Sequence, residues 1–441
     1  MTSDDSSIPN VSPPATPELT PAELAAKKLK HTQHLQIFLT VLIDLIGFGL
    51  LIPIIQPFAG RLAQAAGLND YVSLIQSFIL GVYSLMQFLF SPVLGRISDR
   101  VGRRPVIIAS LVGSLIGYLV LAAATSESIN PTIALVMVFG ARIATGVCGA
   151  SIGTAQAYLG DITAPEKRTA VMGMIGAAFG LGFMLGPIIG GITSHWGMHV
   201  PFLTAAALTV FNLVMCIRKL PESLPVEKRG KNNEGRTSLV ATLVHMRGTP
   251  FIDIILANFV LITAFSIMTT SFVPFTENVV GPFKYDQKTV GYLFGFIGVI
   301  GIIIQGGLIR KIAKKGRERK LALGGIICMI IALAFLPKTM TGATLLCALA
   351  LLAVGNSFAT PTLNSLASQC GTVQTQGETM GAMASAGSLG RFIGPFMAGI
   401  VMHFAPAVQR FDRAFWLGSA LMAIAAIAVL RIKSHPASRI G

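Results

Sequence analysis

Apolar residues arrive in long runs rather than in alternation. Twelve stretches rich in Leu, Ile, Ala and Gly cover 36–57, 72–94, 105–124, 132–157, 168–192, 201–217, 252–274, 289–309, 321–337, 341–364, 379–402 and 412–432. Each is near the ~20 residues a helix needs to cross a ~30 Å hydrocarbon core, whereas a barrel strand would alternate over ~10 residues. The pattern predicts an all-α membrane protein of twelve transmembrane helices. Only Lys338-Thr339-Met340 separates the ninth run from the tenth. Three polar stretches interrupt the pattern. Residues 1–34, rich in Pro, Ser and Thr, read as a disordered tail. Residues 218–250, with Arg218-Lys219 through Lys231-Asn232-Asn233, read as a linker, and 433–441 as a second tail. The chain thus divides into six spans over 35–217 and six over 251–432.

The two halves repeat one another. Gly173, Ala178, Gly182, Gly186 and Pro187 recur 208 residues later as Gly381, Ala386, Gly390, Gly394 and Pro395. Two similar halves in a membrane chain are the plan of a secondary transporter, whose substrate site lies between them near the bilayer midplane.

Composition agrees with this plan. The 441 residues are 53% hydrophobic and 12% charged, with a mean hydropathy of +0.70. A soluble fold of this size has too little interior to hide that surface, and in lipid only helices or closed barrels satisfy the backbone. The net charge of +15 would suit nucleic acid, but its placement points elsewhere. With the N-terminus in the cytoplasm, the inside segments (1–34, 95–104, 158–168, 218–250, 310–320 and the tail from 431) hold 26 of the 34 Lys and Arg. That asymmetry predicts cytoplasmic termini. No signal-peptide pattern precedes the first span, which is expected to act as an uncleaved insertion signal. The cysteines (148, 216, 328, 347 and 370) show no metal-ligand or disulfide spacing. No nucleophile–base set, metal cluster or phosphate loop is seen. The chain is therefore expected to be no enzyme, to carry no cofactor or metal, and to work as a monomer in a lipid bilayer.

Polar residues inside the spans are the candidate chemistry, because lipid penalises them. Asp44 is the only carboxylate placed deep in a span. It could exchange a proton, or act as a fixed counter-ion to Arg142 or Arg391. Arg142, in span 4, costs at least ~2.5 kcal/mol unless it faces inward to a partner. That partner is either structural or part of a proton pathway. Arg391, in span 11, lies ~18 Å deep at 1.5 Å per residue. It could be structural, bind an anionic substrate group, or meet Asp44 across the interface. Its repeat mate is Phe183, so the repeat did not demand the charge. Gln56, Gln156, Asn258, Gln305 and Asn356 are expected to line the cavity; Gln87, Asn258 and Asn356 could equally be interhelical hydrogen bonds.

Two basic segments complete the set. Between spans 2 and 3 lies Gly95-Arg96-Ile97-Ser98-Asp99-Arg100-Val101-Gly102-Arg103-Arg104, whose two glycines permit a tight turn. Asp99 could pair with the arginines or with a helix N-terminus of the other half, making a latch. Asp161, between spans 4 and 5, could pair with the same arginines. In span 5, Gly182, Gly186, Pro187, Gly190 and Gly191 offer close helix approach and a kink.

These motifs resemble the major facilitator superfamily. The 95–104 segment is similar to that family's loop between helices 2 and 3, and the span-5 string to the antiporter signature of its drug:proton antiporters. Asp44, then Gly47-Phe48-Gly49 and Pro53, resembles helix 1 of the tetracycline-resistance branch. The resemblance implies two pseudo-symmetric six-helix bundles in a bacterial inner membrane. It implies a cytoplasmic gate at Gly95, Asp99, Arg100, Gly102, Arg103, Arg104 and Asp161, and proton-coupled efflux of a small amphipathic compound through Asp44 and Arg142. Tetracycline antiporters are expected to carry acidic residues in helices 3 and 9 and a histidine in helix 8. This chain has none of these, so the resemblance does not extend to the tetracycline–metal complex as substrate. The alternative is transport of a metabolite or organic anion held by Arg391.

Overall fold

A computed structural model of the chain describes residues 21–163, 168–230, 239–277, 282–308, 317–370, 376–406 and 409–432. Its helices are α1 (Pro21–Ala65), α2 (Val72–Val101), α3 (Arg103–Ala123), α4 (Pro131–Gly149), α5 (Ile152–Ile162), α6 (Arg168–Thr193) and α7 (Val200–Lys219). After a short α8 (Leu239–His245) come α9 (Phe251–Glu277), α10 (Gln287–Ile303), α11 (Glu318–Phe335), α12 (Gly342–Cys370), α13 (Gln376–Phe404) and α14 (Arg410–Arg431). Because α4 and α5 continue one another as a single span, Pro131–Ile162, the described residues contain twelve membrane-length units, the number the hydropathy pattern predicts. Among the described residues ten helices are long and apolar enough to cross a membrane; α6 and α13 are the glycine-rich repeat copies. Ile116, Val136, Phe211, Ile303 and Ile331 each leave more than half their surface uncovered. Patches of that kind mark a surface facing something other than water. This is a multi-pass membrane protein.

Several boundaries differ from expectation for local reasons. The tail expected through residue 34 is helical from Pro21, a residue suited to the first turn because its missing N–H has no helical partner there. The segment 95–104 is not a loop. α2 runs through Gly95 to Val101 and α3 starts at Arg103, leaving Gly102 alone as the turn, at φ 109° where other residues are strained. Span 4 is broken at Gly149–Ser151 rather than continuous. The last turn of span 8, Ile304–Leu308, is π-helical, a form often found at functional positions. The tail 433–441 and residues 231–238 of the linker lie outside the described residues.

The packing is pseudo-symmetric. α6 lies against α1 of its own bundle and α10 of the other; its repeat mate α13 lies against α9 of its own bundle and α2 of the other. The two repeat helices therefore build the seam between the halves. The cores differ, however. The second half has one continuous apolar cluster from Phe251 to Ile432. In the first half the core is split in two, and α1 leaves one cluster at Leu45 and enters the next at Leu50. A polar layer lies between them.

Candidate functional site

Small residues decide how closely the seam helices approach. A Cβ on Gly182 would stand 2.5 Å from Leu45 Cβ, on Gly186 2.7 Å from the Gly49 backbone, and on Gly190 2.2 Å from Leu50 O, all on α1. The repeat reproduces this on α9, where a Cβ on Gly390 would meet Phe259 O at 3.0 Å and one on Gly394 Thr263 O at 2.6 Å. Across the seam, Gly291, Gly295 and Gly298 of α10 admit Pro187 O, Ile188 and Met184 of α6. Gly191 meets Gln287 O and Gly291, and its mate Gly399, also 208 residues on, meets Ser77 of α2. The Gly191–Gly399 pair thus extends the repeat beyond the stretch read from sequence.

Within the polar layer, Arg142 is 1% exposed. No carboxylate among the described residues pairs with it. Its Nε donates to Ile79 O at 3.2 Å, and its guanidinium lies 4.8 Å from the Tyr83 ring centre and 5.7 Å from that of Phe48. Aromatic faces stabilise a desolvated cation, by ~2 kcal/mol or more. Phe48 in turn meets Tyr83 and Phe183. Arg142 is therefore held by α2 carbonyl and ring contacts and not by Asp44.

Asp44 is half-buried and lies apart from Arg142, among apolar residues of the cluster that includes Ile37, Val41 and Leu45. It lines a cavity of about 10 Å³ with Thr40, Val41, Ile107, Leu111, Ser151, Ile152 and Ala155. That is near the size of one water. The cavity sits between α1, α3 and the α4–α5 break. Among the described residues, no side chain hydrogen-bonds to or ion-pairs with Asp44. The expected alternative, a fixed counter-ion to either arginine, does not hold in this conformation.

Arg391 stands on the seam. Its Nη2 donates to Ser388 Oγ at 2.8 Å and to Gln87 Oε1 of α2 at 3.4 Å. Of the other expected cavity residues, Gln56 donates across the halves to Thr270 O at 3.0 Å, and its Oε1 is buried without a partner among the described residues. Asn258 donates to Met383 O at 3.4 Å within its own bundle, and Asn356 accepts from Thr360 in its own helix. Gln305, in the π-turn, reaches to 4.0 Å from where a Cβ on Gly180 would stand. Gln156 is half-buried on α5.

At the basic end, Arg103 is 4% exposed and pairs with both Asp99 and Asp161, the latter at 3.1 Å from its Nε. Arg104 donates to Ile217 O and Arg100 is exposed. Sequence reasoning missed Glu222. Its carboxylate accepts from the N–H groups of Arg103 at 2.9 Å and Arg104 at 3.2 Å, capping α3 from the linker. The φ of 109° is what favours glycine at this turn, and without a Cβ Gly102 also lets the Glu222 carboxylate come close. The signal available in the sequence was the first carboxylate after span 6, between Pro221 and Ser223. Gly95 is helical and has no part in the turn.

The Major Facilitator Superfamily model matches residues 37–395. The chain belongs to that superfamily. The tetracycline resistance protein of class D from Salmonella ordonez is 29% identical over 400 residues, 90% of this chain and 96% of that protein. The class B protein from Escherichia coli is 30% identical over 82% of this chain and 86% of its own length. The Major facilitator superfamily domain-containing protein 10 of Bos taurus is 29% identical over 91% of this chain and 92% of its own. Among solved structures, the human organic anion transporter MFSD10 (TETRAN) superposes with a TM-score of 0.69 at 25% identity, covering 91% of this chain and 99% of that one. A D-xylose–proton symporter does so at 0.73 and 15% identity, covering 90% and 97%; it speaks for the fold alone. As a major facilitator, the protein is a membrane transporter of a small molecule and not an enzyme.

Proposed function

We propose that this facilitator is a proton-coupled exporter of a small, amphipathic, drug-like compound. It works by alternating access as a monomer in a bacterial inner membrane, with the basic face and both termini in the cytoplasm. The observation that carries the reading is Asp44: a carboxylate inside the first bundle, beside a water-sized cavity, with no side-chain partner among the described residues. A carboxylate already paired with Arg142 could not exchange protons without breaking that pair; this one can. The likeness to tetracycline resistance proteins along most of the chain supports export. Asp99, Arg103 and Asp161 serve as the cytoplasmic gate.

A second reading rests on Arg391. It lies at the seam, and among the described residues no carboxylate neutralises it. Relatives of the organic anion transporter MFSD10 match over as much of the chain as the resistance proteins do. On this reading Arg391 holds an anion, and direction is open.

Proteoliposomes decide between the two. Addition of a lipophilic cation or neutral drug releases protons from wild type, and Asp44→Asn lowers that release about tenfold or more, the order of loss for removing a positioned acid–base group. If only anions move, equally in both proteins and without protons, the antiport reading fails and the Arg391 reading replaces it.

A further inference from the structure

One side chain touches both the seam and the polar layer. Gln87, on α2, is 8% exposed. Its Oε1 faces the second half, where Arg391 Nη2 lies at 3.4 Å and Ser388 Oγ at 3.5 Å. Its Nε2 faces the first half and donates to Gly149 O at 3.1 Å. Gly149 is the last residue of α4, at the break, and the next residues across it, Ser151 and Ile152, line the Asp44 cavity.

The break makes this contact consequential. The carbonyls at the end of α4 have lost their regular helical partners and need others. At Gly149 the partner is Gln87. Gly149 also admits α2 closely at the break: a Cβ there would stand 2.3 Å from the hydroxyl of Tyr83, whose ring also stacks on Arg142. The amide therefore holds the geometry of the segment that closes the Asp44 cavity. The opposite end of the same amide is held by the second bundle. Its two contacts there are long for hydrogen bonds and cost little to break, which suits a seam that must part during alternating access.

We propose that Gln87 is a positioning residue that couples the parting of the α2–α13 seam to the cavity around Asp44. When the halves are together, Arg391 and Ser388 orient the amide so that its N–H points at Gly149. When they part, the amide is free to turn, the Gly149 carbonyl loses its donor, and the break relaxes around Asp44. The inference deepens the antiport reading, since it assigns the route by which Asp44 and the seam sense one another.

The test is a cross-linking cycle in the full-length protein with its five cysteines replaced. Tyr71→Cys and His403→Cys report seam closure, because their rings stack across the seam with centroids 5.8 Å apart and the smaller side chains leave closure unobstructed. With Gln87 present, Asp44→Asn changes the cross-linking rate about threefold or more, as expected for members of one network. In Gln87→Met and in Gln87→Glu the same change falls below about 1.5-fold. Gln87→Glu turns the acceptor for Arg391 into a charged one and loses the donor to Gly149, so with Asp44 intact its seam cross-links at least as fast as wild type. A merely structural glutamine would not separate these two effects. A full Asp44→Asn response in Gln87→Glu overturns the proposal, as does a response absent when Gln87 is present. Should wild type release no protons to any substrate while the response still requires Gln87, the antiport reading fails and the coupling stands.

Discussion

At the scale of single residues, this protein uses absence of side chain as much as chemistry. Gly190 shows how little room α6 has against α1 of its own bundle: a Cβ there would stand 2.2 Å from a backbone oxygen that cannot rotate away. Gly190→Ala should therefore destabilise by about 1–3 kcal/mol, the usual cost of overpacking. Gly140, on α4, would have nothing within 4 Å of an added Cβ. Gly140→Ala should stabilise by about 1 kcal/mol through helix propensity. Thermal unfolding in detergent should move in opposite directions for the two, and a shared direction would reject the packing account. Arg142 and Asp44 illustrate a different point. Both were legible as candidates because lipid penalises charge, yet nothing in the chain order said that they avoid each other. Arg142 is drawn to the Tyr83 and Phe48 rings, and Asp44 faces the α3 side of the bundle.

At the scale of elements, helix ends carry most of the polar organisation. Asp286 caps α10, accepting from the N–H and hydroxyl of Thr289. These bonds favour the carboxylate and hold its pKa below the ordinary aspartate value, the Thr289 hydroxyl contributing most. The stabilisation is present above the unfolded value, about 3.9, and is lost as pH falls through the lower folded one. Asp286→Ala should thus lower the melting temperature at neutral pH, and its gap from wild type should close below about pH 4. A gap that persists there would mean the charge is not what caps the helix. Glu222 plays the same part for α3, but from 119 residues away in sequence. Asp286 caps residues only three positions on, whereas no local motif announces a cap supplied by the linker. The α4–α5 break was equally invisible, because the apolar run passes through Gly149 without interruption.

For the whole molecule, the described contacts between halves lie in the middle and toward the end opposite the basic face. They run from Gln87–Arg391 through Gly81–Phe392 to Tyr71–His403, and from Met184–Gly298 to Gly191–Gln287. The alternating access proposed above requires these contacts to form and part. Bulk at Gly295, where a Cβ would stand 2.5 Å from Ile188, should prevent closure. Gly295→Val should reduce transport about tenfold or more, the effect of a closure penalty above ~1.4 kcal/mol. A cysteine at position 287 should then gain reactivity toward an impermeant maleimide from the far side. Unchanged reactivity alongside lost transport would point to misfolding instead of a held-open seam.

Twelve spans, two halves, the repeat helices and the candidate charges were all determined by the order of residues. Each follows from a local rule: the length of an apolar run, the recurrence of small residues, or the penalty for charge in lipid. Tertiary structure alone decided which helix each small face meets, that Gly191 and Gly399 both pack across the seam, that Arg142 and Asp44 form no ion pair, and that Gln87 bridges the halves. Those facts join residues up to 304 positions apart. Periodicity along one helix reports which face is small or apolar, but it carries no information about the helix that will cover it.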